Sequence, residues 1–386
     1  MWRNIASNAL TFLVVILFLI GGVVIWGKNS YLAEGPLEAA VCLQVEPNSN
    51  MRKVARQLED MGAISSRSIF NIAVDYTDAG DRLKAGSFLI AEKSSMEDIL
   101  GTVTGSGVST CGTQVVYTIS VARAFARVNE LDPATREFSV AAEFDLGAED
   151  VPAKYAEVVG KTDTRFAVNV AEGVTSWQVV TNLNLISTLE GDVTDIPAEG
   201  YLAPDYYEFV PGAEVAELIA RMEELQVARL DAAWENRAEG LPFDTKEEAL
   251  IMASIIEKET GVAEERPMVA SVFENRLKQG MKLQTDPTVI YGITNGEGVL
   301  GRGLRQSELR RETPYNTYVI EGMPPTPIAN PGADAINAAV NPAQTDYIFF
   351  VADGTGGHAF AATLAEHSEN VAKWREIEAQ QQSGNN

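Results

Sequence analysis

The residues best placed to do chemistry close an apolar run. Ala249-Leu250-Ile251-Met252-Ala253-Ser254-Ile255-Ile256 leads directly into Glu257-Lys258-Glu259-Thr260. Thr245 with Glu248 three residues on is a capping-box pattern, which predicts that the run is a helix. At about 100° per residue its apolar side chains point in every direction, as in a helix buried all round. Glu257 then hangs from the end of a core helix on the side of Leu250, Ala253 and Ser254, while Glu259 points nearly the opposite way. A carboxyl sheltered by apolar neighbours keeps its proton to higher pH, as a general acid near neutrality must. The plainer reading is that Glu257 ends a core helix and meets water.

Other candidates sit in loops. Gln284, Thr285 and Asp286 precede Pro287, and their amide and hydroxyl groups can hold polar groups of a ligand. Asp before Pro is equally a turn start. Tyr315 and Asn316 occupy a similar loop, where an aromatic ring can stack on a flat ligand face. Asn330 lies in a Pro/Gly turn and reads equally well as structural. His358 follows Gly356-Gly357 and either orients a substrate, tunes Glu257, or is simply hydrogen-bonded. Glu199 and Asp205 fit a cleft or a helix cap; for Lys258 and Arg276 a surface salt bridge is the default. Glu259, facing away, is a poor second catalytic carboxylate.

These residues need a sizeable body to position them. The chain has 386 residues, 46% hydrophobic and 22% charged, room for a large core divided among about two or three domains. The net charge of −24 repels nucleic acid and anionic lipid heads, so a nucleic-acid role is excluded. Leu10 to Trp26 carries no charge, and with Ala9 it approaches the roughly 20 residues that span a bilayer. Arg3 precedes it and acidic residues follow soon after Lys28, which favours a short cytoplasmic tail and an exported body. No A-x-A-like site closes the run, so an anchor is preferred to a cleaved signal peptide. For Cys42 and Cys111, both beyond this segment, a disulfide and two buried thiols stand as equal readings. No Cys/His spacing suits zinc, and with two histidines in all, His358 and His367, neither a His-rich metal site nor a cofactor is expected.

Along the chain, Leu43 to Val45 and Gly86 to Ile90 read as strands, with helices capped near Asn48-Ser49 and Ser94-Ser95. Phe166 to Val170 followed by a helix capped at Thr175-Ser176 echoes this strand–helix module. Between them, Gly105 to Thr164 is strand-prone at Val115 to Ile119 and Phe138 to Ala141 and reads as a β-rich insertion. Further on come an amphipathic helix from Val215 to Trp234, a helix with Pro267 in its first turn stopped by Gly280, and strands at Tyr318 to Ile320 and Tyr347 to Val351.

The second half carries an ordered set of dense motifs. They are Glu199-Gly200-Tyr201-Leu202-Ala203-Pro204-Asp205, Ala253 to Thr260, Asn275-Arg276-Leu277, Leu283 to Gly292, Thr313 to Tyr318, Gly322 to Gly332, and Phe350 to Gly354 with Gly356 to Phe360. In this order they closely resemble the YceG-like endolytic murein transglycosylases, over about 41–107 and 165–374 together with the anchor.

The resemblance implies an α+β fold: a cytoplasmic tail (1–8), a transmembrane anchor (9–26), a LysM-like module (41–107), a β-rich insertion (108–164) that departs from shorter relatives, a second LysM-like strand–helix unit (165–197), a YceG-like catalytic domain (198–376) and a disordered tail (377–386). It implies a single-pass protein of the bacterial cytoplasmic membrane, N-terminus in the cytoplasm and body outside. Its substrate is then peptidoglycan, cut within nascent glycan strands between N-acetylmuramic acid and N-acetylglucosamine to leave a 1,6-anhydro end, in cooperation with peptidoglycan synthases. The family's catalytic glutamate matches Glu257, with Gln284, Thr285, Asp286, Tyr315, Asn316 and His358 as substrate-binding candidates. Two other readings compete: a hydrolytic muramidase using the same Glu257, and a non-catalytic wall-binding or assembly protein. A Ser or His hydrolase built on His358 lacks a G-x-S-x-G elbow.

Overall fold

The computed structural model describes residues 2–105, 110–161 and 163–384. The expected boundary between the first module and the insertion, at residues 107 and 108, lies outside them. Two compact units emerge. The first comprises Met1–Val115, Arg127–Glu143 and Asp150–Arg165; the second comprises Val116–Ala126, Phe144–Glu149 and Phe166–Asn386.

The first unit opens with helix α1 (Trp2–Leu32), in which Leu10–Leu32 is long and apolar enough to cross a membrane. The helix therefore runs past Trp26, where the charge-free stretch ends. Phe12 and Phe18 are 68% and 78% exposed, so among the described residues no protein layer covers this segment. Strands β1 (Val41–Val45) and β2 (Gly86–Ile90) pair antiparallel with Val41 opposite Ile90. Between and after them lie α2 (Met51–Asp60), α3 (Arg67–Tyr76) and α4 (Met96–Thr104). The cap of α2 is Asn50, which accepts from the Lys53 N–H, rather than Asn48-Ser49; Asn48 turns the chain at φ 60°. Ser95 and Asp98 form a full capping box on α4. Leu43, Val54, Leu58, Phe70, Phe88 and Ile99 make the core. Cys42 and Cys111 are disulfide-bonded with Cα atoms 5.7 Å apart, which decides between the two readings of this pair.

Strands β3 (Thr113–Ile119), β4 (Ala124–Asp132) and β5 (Glu137–Asp145) and helix α5 (Ala153–Val158) fill most of 108–164. On β3, Val115, Tyr117 and Ile119 are buried and alternate with half-exposed neighbours, the period of two that marks a strand. β6 (Arg165–Val170) and α6 (Ser176–Leu183) follow, the latter with a Thr175–Gln178 capping box. Next come β7 (Leu189–Glu190), β8 (Tyr206–Phe209) and β9 (Ala213–Glu214). The larger sheet has the order β5-β4-β3-β6-β8; β7 and β9 form a small parallel pair.

The second unit is then built on α8 (Lys246–Glu259), whose Ala249 to Ile256 are all buried. Packed with it are α7 (Val215–Glu235), α9 (Arg266–Lys278) and α12 (Ala333–Val340), sharing a core of Leu230, Phe243, Leu250, Met252, Ile255, Phe273 and Ile336. Helices α10 (Asp286–Thr294) and α11 (Gln306–Leu309) lie in the connection between α9 and α12. The hairpin β10 (Phe349–Ala352) with β11 (His358–Ala361) precedes α13 (Leu364–Gly384).

Two expectations are corrected here. Tyr318 to Ile320 is not a strand: the Val319 and Ile320 N–H groups both donate back to the Asn316 carbonyl at 2.9 Å, which closes a local turn. Residues 377–384, expected to belong to a disordered tail, continue α13 through Gly384, with Ile377 seated against Gly354.

Candidate active site

Four consecutive residues at the end of α8 each reach a different element. The Glu257 carboxylate takes the Gly332 N–H on Oε2 at 3.0 Å and faces the Arg266 guanidinium at 3.4 Å from Oε1. Lys258 Nζ donates to the Gly173 carbonyl at 3.1 Å, in the turn between β6 and α6. Glu259 accepts a hydrogen bond from the Thr285 hydroxyl just before α10. The Thr260 hydroxyl donates to Glu265 at 3.3 Å. The opposed directions of Glu257 and Glu259 follow from their two-residue spacing on one helix.

Glu257 is nearly enclosed, with 5% of its side chain exposed. Burial pushes its carboxyl above the usual 4.5, and the charge of Glu172 pushes the same way; the Gly332 N–H and Arg266 pull it down. Arg266 Nη2 is shared, 3.0 Å from Glu172 Oε2 and 3.4 Å from Glu257 Oε1. Asp334, in the first turn of α12, stands 3.8 Å from the same guanidinium. Glu172 and Asp334 are 44% and 71% exposed, so solvent begins one side chain away from the buried carboxyl.

The Gly332 amide is also the start of α12, so the carboxylate faces the positive end of that helix. A side chain on Gly332 would displace Glu172 from its present position, since a Cβ there would lie 1.7 Å from a Glu172 oxygen. The strap from Ile328 to Gly332 is tied throughout. The Ile328 N–H donates to Ser254 Oγ (3.0 Å), and the Asn330 N–H and side chain both donate to the Val174 carbonyl (2.9 and 3.0 Å). Asn330 Oδ1 accepts from the Leu202 N–H at 2.9 Å. Asn330 is thus fully buried and holds three loops together.

The remaining candidates fall into three neighbourhoods. Gln284 is exposed and held at φ 52°, a strained angle for its type, between buried Leu283 and buried Thr285. Asp286 begins α10 and accepts from the Tyr318 hydroxyl at 2.7 Å. Tyr315 is half-buried, its ring 5.1 Å from Tyr291, while the Tyr291 hydroxyl donates to Glu199 at 3.2 Å. Asn316 is fully buried; its amide donates to the Glu308 and Arg311 carbonyls and its oxygen accepts from the Tyr318 N–H. His358 Nδ1 lies 2.7 Å from Glu265 Oε2, and its own N–H donates to Glu265 Oε1 at 2.7 Å. The direct partner of His358 is thus Glu265.

Glu199 caps α6, accepting from the Ser176 N–H at 2.8 Å, and burial raises its carboxyl. Asp205 pairs with Arg229. Lys258 and Arg276 are not surface ion pairs: Arg276 is buried and donates to the Ile348 and Leu283 carbonyls. One buried arginine thereby supplies donors to backbone carbonyls of two separate segments.

Sequence reasoning missed Glu172 and Arg266. Glu172 stood in a turn and Arg266 beside Pro267, and only the packing of the β6–α6 turn against α9 makes them neighbours of Glu257. A charged residue directly before a helix-opening proline was the available signal.

The molecule was compared with known proteins. A model of the YceG-like family matches residues 43–373. An endolytic murein transglycosylase of Bacillus subtilis (strain 168) is 28% identical over 362 residues, covering 92% of this chain and 91% of that protein. One from Streptococcus pneumoniae (serotype 2, strain D39) is 27% identical over 344 residues, which is 86% of this chain and 58% of that longer protein. The crystal structure of a putative YceG-like protein from Listeria monocytogenes matches 86% of this chain and 98% of its own at 24% identity and a TM-score of 0.47. The family match runs from within β1 through the whole neighbourhood of Glu257, and the chain belongs to the YceG-like family.

Proposed function

We propose that this chain is a membrane-anchored lytic transglycosylase that cuts peptidoglycan glycan strands internally, between N-acetylmuramic acid and N-acetylglucosamine. The observation that carries the reading is Glu257 itself: one enclosed carboxyl, biased toward its protonated form, with ready-made support for its anion.

The reaction needs a proton on the leaving glycosidic oxygen and support for an oxocarbenium-like centre. Protonated Glu257 donates to that oxygen. The carboxylate so formed is received by the Gly332 N–H, the α12 N-terminus and Arg266. It then takes the proton from the C6 hydroxyl of the muramyl sugar, whose oxygen attacks C1 and closes the 1,6-anhydro ring. The nucleophile is part of the substrate, so its effective concentration is high and water has no role. Glu257 ends protonated, ready for the next bond.

Gln284, Thr285, Asp286, Tyr315, Asn316 and His358 are proposed to shape the sugar sites; the exposed Gln284 and Asp286 and the half-buried Tyr315 and His358 rings are the groups among them open to direct contact, while Thr285 and Asn316 are buried. The α1 helix is proposed as a single-pass anchor in the bacterial cytoplasmic membrane with the N-terminus inside, the body outside near the synthases that extend new strands. The two strand–helix units are proposed to be LysM-like wall-binding modules.

A second reading is favoured by Glu172, which shares Arg266 with Glu257 and would give a hydrolytic muramidase its second carboxylate. Mass analysis of fragments from purified peptidoglycan separates the two. Transglycosylation gives ends lighter by one water than hydrolysis, and hydrated ends alone would defeat the proposal. A parent that binds sacculi and releases no soluble fragments would point to the wall-binding alternative.

A further inference from the structure

Helix α7 has an apolar stripe at Val215, Leu218, Ile219, Met222, Leu230 and Ala233, all buried. Gln226 falls on that stripe, one turn from Met222, and is completely buried. A glutamine there costs desolvation unless its amide is used. Its Nε2 donates to the Gly200 carbonyl and to the Pro331 carbonyl, each at 3.0 Å. Both partners are acceptors, which fixes the amide orientation: a flipped amide would set its oxygen against two carbonyl oxygens. Its Oε1 has no hydrogen-bond partner among the described residues. The side chain is kept for its two donors at the cost of an orphaned acceptor.

The Pro331 carbonyl and the Gly332 N–H belong to one peptide group. That N–H is the one that donates to Glu257 Oε2 at 3.0 Å. A continuous relay therefore runs from the Gln226 amide, through the Pro331–Gly332 peptide, to the Glu257 carboxylate. A donor on a peptide carbonyl polarises the group and strengthens its N–H, and it fixes the plane in which the N–H points.

We infer that Gln226 is a positioning residue for the glycan-cleaving reaction, acting through the Pro331–Gly332 peptide to aim and polarise the N–H that receives the Glu257 carboxylate. It does not touch the sugar. It deepens the reading of Glu257 as acid and base and rests on that reading.

The test is kinetic, on the full-length protein in detergent with purified peptidoglycan. Gln226→Met keeps length and volume and removes both donors. The Glu257 anion then loses part of its support, so its pKa rises and the alkaline limb of kcat/KM moves up by about half a pH unit, the worth of a weakened hydrogen bond. The charged groups that also act on Glu257 are Glu172 of the β6–α6 turn, Arg266 of α9, the neighbouring Lys258 of α8 and, through Arg266, Asp334 of α12. None of them is altered by the substitution. The proton-accepting half of the reaction loses its aim, so kcat falls about tenfold while KM stays within about twofold. Gln226→Leu, apolar and likewise without a donor, serves the same purpose should the Met variant not fold. A folded variant with the parent's alkaline limb and kcat overturns the inference, as does a loss confined to KM or a loss of kcat with the limb unmoved. The Glu257 reading fails separately, in the parent, by release of no anhydro ends.

Discussion

At the scale of single residues, the proposed chemistry reduces to how the Glu257 carboxyl is loaded and how its anion is received. Burial and Glu172 raise Glu257; Gly332 and Arg266 restrain the rise. The acid must be protonated to act, so activity is lost as pH climbs through this raised pKa. Replacing Arg266 by Met removes a restraint, so the alkaline limb of kcat/KM moves upward. It also leaves the anion with less support, and kcat falls about tenfold or more at the optimum. A pH–rate profile checks both, and a downward shift would contradict the assignment. Glu274 offers a control away from the reaction. Its side chain is 1% exposed, its Oε1 has no partner among the described residues, and burial pushes its carboxyl up to about 7. The folded state holds the proton more tightly than the unfolded state between the usual 4.5 and about 7, so stability falls as pH rises across that window. Glu274→Gln is expected to stabilise the protein by about 1–3 kcal/mol above pH 7 and by little near pH 4.5, read from melting curves at the two pH values.

At the scale of elements, the end of α8 and the 328–332 strap are the working parts. Gly332→Ala would place a Cβ 1.7 Å from Glu172, so either the carboxylate or the strap moves. A displacement near 1 Å at such a group costs about a hundredfold in rate, and product release over time measures it. Near-parent activity would show that the strap's position is unimportant. Much of this level was legible in the sequence. The Thr245–Glu248 and Thr175–Gln178 boxes, the all-round apolar face of α8 and the Gly86–Ile90 strand carry strong local signals. What escaped was set by tertiary contact. Helix α3 presents only Phe70 and Val74 as buried residues and leaves Ile72 and Tyr76 exposed, so its period is blurred. Tyr318 to Ile320 has strand composition, and the Asn316 carbonyl captures it in a turn instead. Glu257 was readable because its helix is greasy; Glu172, Arg266 and Gln226 were not, because they meet it from sequence distances that no local pattern encodes.

At the scale of the whole molecule, an uncovered apolar helix and a disulfide both fit a body outside the cytoplasm. The Cys42–Cys111 bond spans a sequence separation of 69, so in the chain-entropy account it stabilises its unit by about 4 kcal/mol. Replacing both cysteines by Ser should lower the melting transition of that unit by several degrees and make it indifferent to reductant. An unchanged transition would mean that the crosslink adds nothing to the packed core of Leu43, Leu58 and Phe88.

The central claim is that the Glu257 carboxyl moves the proton. It is met most directly by incubating purified peptidoglycan with the full-length protein and with its Glu257→Gln variant, and counting 1,6-anhydro ends by mass spectrometry. The parent should generate them steadily, and the amide variant, isosteric yet unable to give or take the proton, should fall to background while keeping its fold and its binding to sacculi. Anhydro ends released by the Gln variant at the parent's rate would contradict the account.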